Sequence, residues 1–246
     1  TGASGQLGRL AAQYALARVE PARLILVTRR PDQLVDLAAC GAQVRFGDFD
    51  DPASLRSAFE GAHRMLLISA VDLARRVAQH RAAIDAAVST GVRRIVYTSM
   101  ISPADPNPAA VAPSHRQTEE ALRQCGVDWT LLRNSLYADY QAPEARQAIL
   151  DGRFVHNRGT GRIAYVARDD CAAVAAAVLA SSGHENVAYD ITGPRTYDSA
   201  ELASLYARLG GRSVDAVSVD DETFINGMLG KGGGDGHARY GAELVA

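Results

Sequence analysis

Three glycines at a spacing of three open the chain: Gly2, Gly5 and Gly8 in Thr-Gly-Ala-Ser-Gly-Gln-Leu-Gly. Glycine there lets the backbone turn tightly and come close to a charged group. A helical pattern follows at Leu7, Leu10, Ala11, Tyr14 and Ala15. A helix starting at the loop aims its free N–H groups and the positive end of its dipole at whatever lies there, which is the chemistry a pyrophosphate needs. Downstream, the strand-like run Arg23–Thr28 ends at Arg29-Arg30. In dinucleotide-binding folds this strand end meets the adenosine ribose, and an acidic residue there holds the ribose hydroxyls. Two arginines suit a 2′-phosphate instead. The expected cofactor is NADP(H), with Gly2, Ser4, Gly5, Gln6, Leu7 and Arg29 among its binding residues.

Further along, Asp48-Phe49 follows a strand-like run. An Asp at this place can accept from the adenine amino group while its neighbour packs on the ring; the alternative is loop capping by Asp50 and Asp51. Ile68-Ser69-Ala70 ends another strand pattern, and ligands of open parallel sheets bind at carboxyl ends of strands. Small side chains there admit the nicotinamide riboses. Tyr97-Thr98-Ser99 ends a strand in the same sense. The Tyr-x-x-x-Lys pair of short-chain dehydrogenases, in which the lysine lowers the tyrosine's pKa, is excluded, because Lys231 is the single lysine. His115, in Ser114-His-Arg-Gln-Thr-Glu119, is the titratable group in the matching helix suited to donating a proton near neutral pH; its other reading is a helix-capping surface histidine. Asn134 and Tyr137, in Leu131-Leu-Arg-Asn-Ser-Leu-Tyr137, are expected between cofactor and substrate. Tyr140, Phe154, His156 and Tyr165 follow where a pocket roof is expected, and aromatic rings there suit a flat conjugated substrate.

These residues need a frame. Strand patterns at 23–28, 43–46, 64–68, 93–98 and 129–132 alternate with helical patterns at 6–18, 31–39, 52–60, 71–90 and 114–125. Asp51-Pro52 is a helix N-cap followed by proline at the first helical position. The 71–90 helix is expected to bury Val77, Ile84 and Val88 and to stop at Gly91. Such alternation predicts an α/β fold: a Rossmann-type, doubly wound parallel sheet with helices on both faces. The glycine loop should follow a buried strand, so a few apolar residues are expected before Thr1. Beyond Asn134 the rhythm changes: a helix near 143–150, strands near 153–155 and 162–166, an alanine-rich helix capped by Asp169-Asp170, a strand at 187–191, a helix at 198–209, a strand at 214–219 and a helix at 220–229. The expected organisation is a nucleotide-binding domain over 1–133 and a smaller C-terminal α/β substrate lobe over 134–246, partly interleaved with it. Gly232–Gly236 reads as a flexible tail.

Composition narrows the function. The 246 residues are 47% hydrophobic, ample for one large α/β domain with a small lobe, and the net charge is −2 with acids and bases interspersed. No nucleic-acid surface or membrane patch is indicated, and no apolar run approaches the ~18 residues of a membrane span. Cys40, Cys125 and Cys171 are odd in number and widely spaced, which reads as buried free thiols in a reducing cytoplasm. The six histidines lack metal-ligand spacing, so no bound metal is expected. A homodimer is compatible with all of this.

The ordered set Thr1–Gly8, Val27-Thr-Arg29, Gly47-Asp48-Phe49, Leu66-Leu-Ile-Ser69, His115-x-x-x-Glu119, Leu132-Arg-Asn-x-x-Tyr137 and Gly183-His-Glu-Asn-x-x-Tyr189 resembles the NmrA-like atypical short-chain dehydrogenases. Within them it is most similar to the type 2 NAD(P)H:quinone oxidoreductases and triphenylmethane reductase. The resemblance spans residues 1 to about 229. It implies NADPH at the glycine loop and Arg29, a substrate site near 68–70, 133–138 and 165–170, and hydride transfer to a quinone or similar conjugated acceptor. The chain departs from it in the missing first strand and in a shorter C-terminus. A second reading is an NADP-binding redox-sensing regulator that binds a protein partner without turnover. A sugar epimerase or carbonyl dehydrogenase is disfavoured by the absent lysine.

Overall fold

The computed structural model describes residues 1–229; Lys231 and the Gly232–Gly236 run lie outside the described residues. Helix and strand alternate: α1 (Gln6–Leu16), β1 (Ile25–Thr28), α2 (Val35–Ala39), β2 (Gln43–Phe46), α3 (Pro52–Phe59), β3 (Arg64–Leu67), α4 (Arg76–Ser89), β4 (Arg94–Met100), α5 (Ala112–Gln124) and β5 (Asp128–Asn134). The order continues with α6 (Gln141–Asp151), β6 (Arg153–His156), α7 (Arg168–Ala180), β7 (Val187–Ile191), α8 (Ser199–Gly210), β8 (Asp215–Ser218) and α9 (Asp221–Leu229).

Contacts divide the chain into two units. Among the described residues the first comprises 1–103, 113–134 and 168–191; the second comprises 104–112, 135–167 and 192–229. The units interleave in sequence, because α7 and β7 return to the first. β7 is the parallel neighbour of β5, with Leu132 opposite Tyr189.

In the first unit every ladder is parallel. One sheet pairs β1 with β2; the other runs β3-β4-β5-β7. The centre of the larger sheet, Ile95-Val96-Tyr97, is apolar without interruption and fully buried, as a strand covered on both faces must be. Residues 1–3 join the two sheets. Ala3 N–H donates to the Val27 carbonyl at 3.1 Å, and the Thr1 hydroxyl donates to the Leu66 carbonyl at 3.2 Å. Beside them a cavity of about 1030 Å³ is lined by Ala12, Ala15, Leu26, Met65 and Leu66, with charged side chains such as Arg45 and Arg94 also in its wall. The small residues of α7 (Ala172, Ala175, Ala176) are buried, and α1 packs against that helix.

Local chemistry sets the helix ends. Asp51 caps α3, accepting from the amides of Ala53 and Ser54, with Pro52 at the first position. α4 starts at Arg76, later than its pattern suggests, because Asp72 turns the preceding residues by accepting from the amides of Ala74 and Arg75. Its buried face is also different: Arg76, Gln79, His80, Ala83, Ile84 and Ala87 point inward, whereas Val88 is 37% exposed. Asp169 and Asp170 lie in the first turn of α7 rather than before it, where acids complement the helix dipole. Cys40 is exposed at the end of α2, contrary to the expected burial; Cys171 is buried.

The second unit holds the parallel pair β6-β8 with α6 and α8 around a core of Phe154, Tyr165, Leu202, Tyr206 and Val214. α8 begins with a capping box between Asp198 and Glu201. The strand expected over 162–166 does not form. Ile163 bridges Tyr197 and Val166 bridges Tyr137, so the segment meets two different neighbours for one pair each and no ladder develops.

Candidate active site

The glycine loop is built as its spacing requires. Gly2 has φ +61°, a left-handed conformation that glycine adopts without strain. A Cβ on Gly8 would sit 2.2 Å from the Gly2 carbonyl oxygen and 2.9 Å from the Ala3 Cα, so the first helical turn packs directly on the loop. The α1 ladder begins with Arg9 N–H donating to the Gly5 carbonyl at 2.9 Å, which leaves the amides of Gln6, Leu7 and Gly8 ahead of the ladder. Gly5 offers no capping side chain, and no acidic residue stands in the first turn. Gly2, Gly5 and Gln6 are exposed; Leu7 is buried and anchors the turn. This cradle fits a dinucleotide pyrophosphate: close backbone, open amides and a dipole uncompensated by any carboxylate of the turn.

Ser4 reaches the strand end beside the cradle, with its hydroxyl 2.7 Å from that of Thr28. The Thr28 oxygen also accepts from the Arg30 amide at 3.0 Å. Arg29 and Arg30 follow, both exposed. A third arginine nearby is occupied: Arg9 makes a bidentate pair with Asp36 and donates to the Gln33 carbonyl. The strand end therefore leaves two exposed arginines, Arg29 and Arg30, of the charge a 2′-phosphate needs. Asp48 takes part in capping after all, since its Oδ1 accepts from the Asp50 amide at 3.1 Å. Phe49 is half-buried, edge-on to His80 at 6.3 Å between ring centroids.

Ile68, Ser69 and Ala70 are half-buried where the chain leaves β3. Their amides end on side chains: Ile68 on the Thr1 hydroxyl (3.2 Å), Ser69 on Thr98 (3.0 Å) and Ala70 on His80 Nε2 (2.9 Å). The last bond fixes the His80 tautomer. Nε2 must be the bare nitrogen, so Nδ1 carries the proton and donates to Thr118 at 2.9 Å. Thr118 in turn donates to the Ser114 carbonyl.

His115 belongs to the same buried network. It is 6% exposed, with Nδ1 2.7 Å from the Tyr97 hydroxyl and Nε2 3.5 Å from Arg76 Nη1. Burial, helped by the Arg76 charge, pushes both His80 and His115 down to about 3. Burial raises the Tyr97 phenol. At neutral pH all three side chains are uncharged. On α5, Glu119 is 2% exposed and accepts from Ser99 (2.7 Å), Arg133 and Arg123. Burial alone would raise its pKa; the bonds from Arg133 and Ser99 outweigh that and keep it below the usual carboxylate range. Arg133 is thereby fixed one residue before Asn134, which ends β5 at 9% exposure.

In the second unit, Tyr137 is half-buried with its ring 6.1 Å from that of Tyr140. Tyr165 is 9% exposed, and burial pushes its phenol up to about 12. His156 stacks near Phe154, at 5.5 Å between ring centroids.

Thr98 lies in the strand end Tyr97-Thr98-Ser99 and Ser114 and Thr118 in the helix opening around His115, but Arg76 and His80 carry no motif that marks them in the sequence. The available signal was their spacing: Arg76/His80 and Ser114/Thr118 are i,i+4 pairs on the stripes that also bury Ile84 and Leu122. Among the described residues no cluster of three or more His, Cys, Asp or Glu could hold a metal ion, and no helix is long and apolar enough to cross a membrane.

A parallel α/β unit opening on a glycine cradle defines a nucleotide-binding protein, and the chain belongs to the NAD(P)H-binding family, whose model matches residues 2–182. Among its relatives, quinone oxidoreductase 2 of Escherichia coli is 35% identical over 238 residues, 97% of this chain and 83% of that protein. The NAD(P)H azoreductase of Xenophilus azovorans is 28% identical over 211 residues, 86% of this chain and 73% of that one. In structure, the NADPH-dependent quinone oxidoreductase of Escherichia coli complexed with NADPH superposes with TM-score 0.95 at 34% identity, covering 98% of this chain and 85% of that chain. Triphenylmethane reductase of Citrobacter sp., complexed with NADP(H), gives TM-score 0.92 at 33% identity over 99% of this chain and 87% of that one.

Proposed function

We propose that this chain is an NADPH-dependent reductase that passes a hydride to a quinone or a similar conjugated acceptor. The observation that carries the reading is the cradle with its strand-end arginines, in a chain whose relatives are named as quinone and azo reductases. Gly2, Ser4, Gly5, Gln6 and Leu7 would hold the pyrophosphate, and Arg29 the 2′-phosphate. Asp48 and Phe49 would flank the adenine, and Ile68, Ser69 and Ala70 the nicotinamide ribose. When bound, the reduced dinucleotide supplies the hydride.

The protein's part is stacking and alignment of donor and acceptor. Reduction of a quinone to its hydroquinone takes one hydride and one proton, and an electron-poor ring accepts the hydride without a strong acid beside it. Water supplies the proton. This suits a site whose histidine, His115, is buried and neutral. We assign His115 to orienting Tyr97 and Arg76, and substrate contact to Asn134, Tyr137 and Tyr165.

The test is stopped-flow oxidation of NADPH by benzoquinone. A hyperbolic dependence on quinone concentration with stoichiometric hydroquinone is expected. Tight NADPH binding without oxidation, across a panel of quinones, azo dyes and triphenylmethane dyes, would instead favour the redox-sensing regulator.

A further inference from the structure

Where β3 ends, the chain leaves the sheet with backbone groups that no ladder pairs. The last of them, at Ala70, are both met from α4. His80 Nε2 accepts the Ala70 N–H at 2.9 Å, and Arg76 Nε donates to the Ala70 carbonyl at 2.5 Å. His80 is fully buried and Arg76 is 4% exposed. Among the described residues Arg76 has only uncharged hydrogen-bond partners: the Ala70 carbonyl, the Ser114 hydroxyl at 3.1 Å and His115 Nε2 at 3.5 Å. Burying a guanidinium against neutral acceptors is costly, and an apolar side chain would pack the same helix face at lower cost. Ala83, Ile84 and Ala87 do so further along α4. What an apolar face could not do is pair both polar groups of one residue in an irregular segment.

We infer that Arg76 and His80 are positioning residues for hydride transfer: from α4 they grip the amide and carbonyl of Ala70, and so fix the strand exit Ile68–Ala70 along which donor and acceptor are aligned. The inference rests on the function proposed above. Thr98 and the Thr1 hydroxyl hold the two preceding amides, so the exit is pinned residue by residue. A segment fixed in this way is organised before any ligand arrives, and alignment of reacting atoms is where such rigidity acts. Neither side chain is assigned a contact with cofactor or acceptor.

The experiment uses the full chain with NADPH and benzoquinone. It measures the NADPH dissociation constant by fluorescence, the single-turnover rate by stopped flow, and the melting temperature. For Arg76→Met and His80→Leu, the NADPH constant should stay within about threefold of the parent, while the single-turnover rate falls by about tenfold or more, a misplacement near 1 Å being able to cost ~10²-fold. His80→Gln keeps an acceptor oxygen near the place of Nε2 and should recover most of the rate. Folded Arg76→Met and His80→Leu proteins with the parent's rate would overturn the inference. So would a His80→Gln rate as low as that of His80→Leu, or an NADPH constant weakened as much as the rate. Should the variants not fold, amide hydrogen exchange in the parent decides. Slow exchange at Ala70 is expected, and exchange as fast as in an open loop would overturn the grip. A parent chain that binds NADPH but reduces no quinone refutes the proposed function instead, and the two failures are therefore separable.

Discussion

Arg29 is exposed at the end of β1 while its neighbour Arg9 is consumed by Asp36, so the cofactor preference should rest on it. A charge-assisted bond to phosphate is worth about 1.5–3 kcal/mol. NADPH should therefore bind about tenfold or more tighter than NADH, and Arg29→Ala should remove most of that difference in a fluorescence titration. Equal affinities in the parent would refute the assignment. Gly8→Ala places a methyl 2.2 Å from the Gly2 oxygen and should weaken binding of both cofactors alike, because it displaces the loop and not the phosphate contact. His115→Ala should slow quinone reduction only modestly; a loss of about 10²–10⁴-fold, the usual worth of a general acid, would show that the imidazole moves a proton. The glycine turn and the end of β1 at Arg29 were legible in the sequence because a turn and a strand end leave a residue type and a spacing behind. Arg76 and His80 were not. A polar residue on a helix reads as solvent-facing until tertiary packing shows that its stripe is buried, and the backbone groups it serves lie at residue 70, outside its own helix.

Among the elements, the alternation of apolar runs fixed the parallel ladders in advance, whereas helix starts and short strands were less readable. The turn at Asp72 shortened α4, and residues 162–166 read as a strand although their neighbours change partner within three residues. The end of α7 shows a device that sequence conceals. Arg94, on β4 and 3% exposed, donates to the carbonyls of Val178 and Ser181 at 2.6 and 2.7 Å and pairs with Glu185; Arg64, on β3, donates to the carbonyls of Leu179 and Ser181. Two strands thus cap one helix with cations, at the end where the helix dipole is negative. Arg94→Met should leave the buried Val178 carbonyl unpaired, Ser181 keeping its bond from Arg64, and cost about 1–3 kcal/mol, read as a lower urea midpoint at unchanged slope. Arg64→Met, at a more exposed site, should cost less.

For the molecule as a whole, the two buried histidines set an acid limit. Both titrate near 3 in the folded chain, against an ordinary 6.5. The unfolded chain takes up these protons as pH falls past 6.5 and the folded one refuses them, so stability is complete above 6.5 and is lost progressively toward 3. At pH 5 the loss is about 2 kcal/mol per histidine. Melting temperature should therefore drop between pH 6.5 and 5, and His80→Gln should flatten that drop; a melting temperature indifferent to pH in this range would contradict it. The division into units has a consequence of another kind. The first unit is assembled from three stretches, the last of which, residues 168–191, supplies both the edge strand β7 and the helix packed on α1. On a ribosome, a nascent chain that has emerged as far as residue 167 still shows the bare hydrogen-bonding edge of β5 and an uncovered alanine face on α1. Its first unit cannot close until the inserted segment 135–167 has been made and passed by. Pauses before about residue 190 has emerged should thus leave this protein dependent on chaperones and open to proteolysis, as protease protection of ribosome-bound chains with residues through 134, 167 and 200 emerged would show.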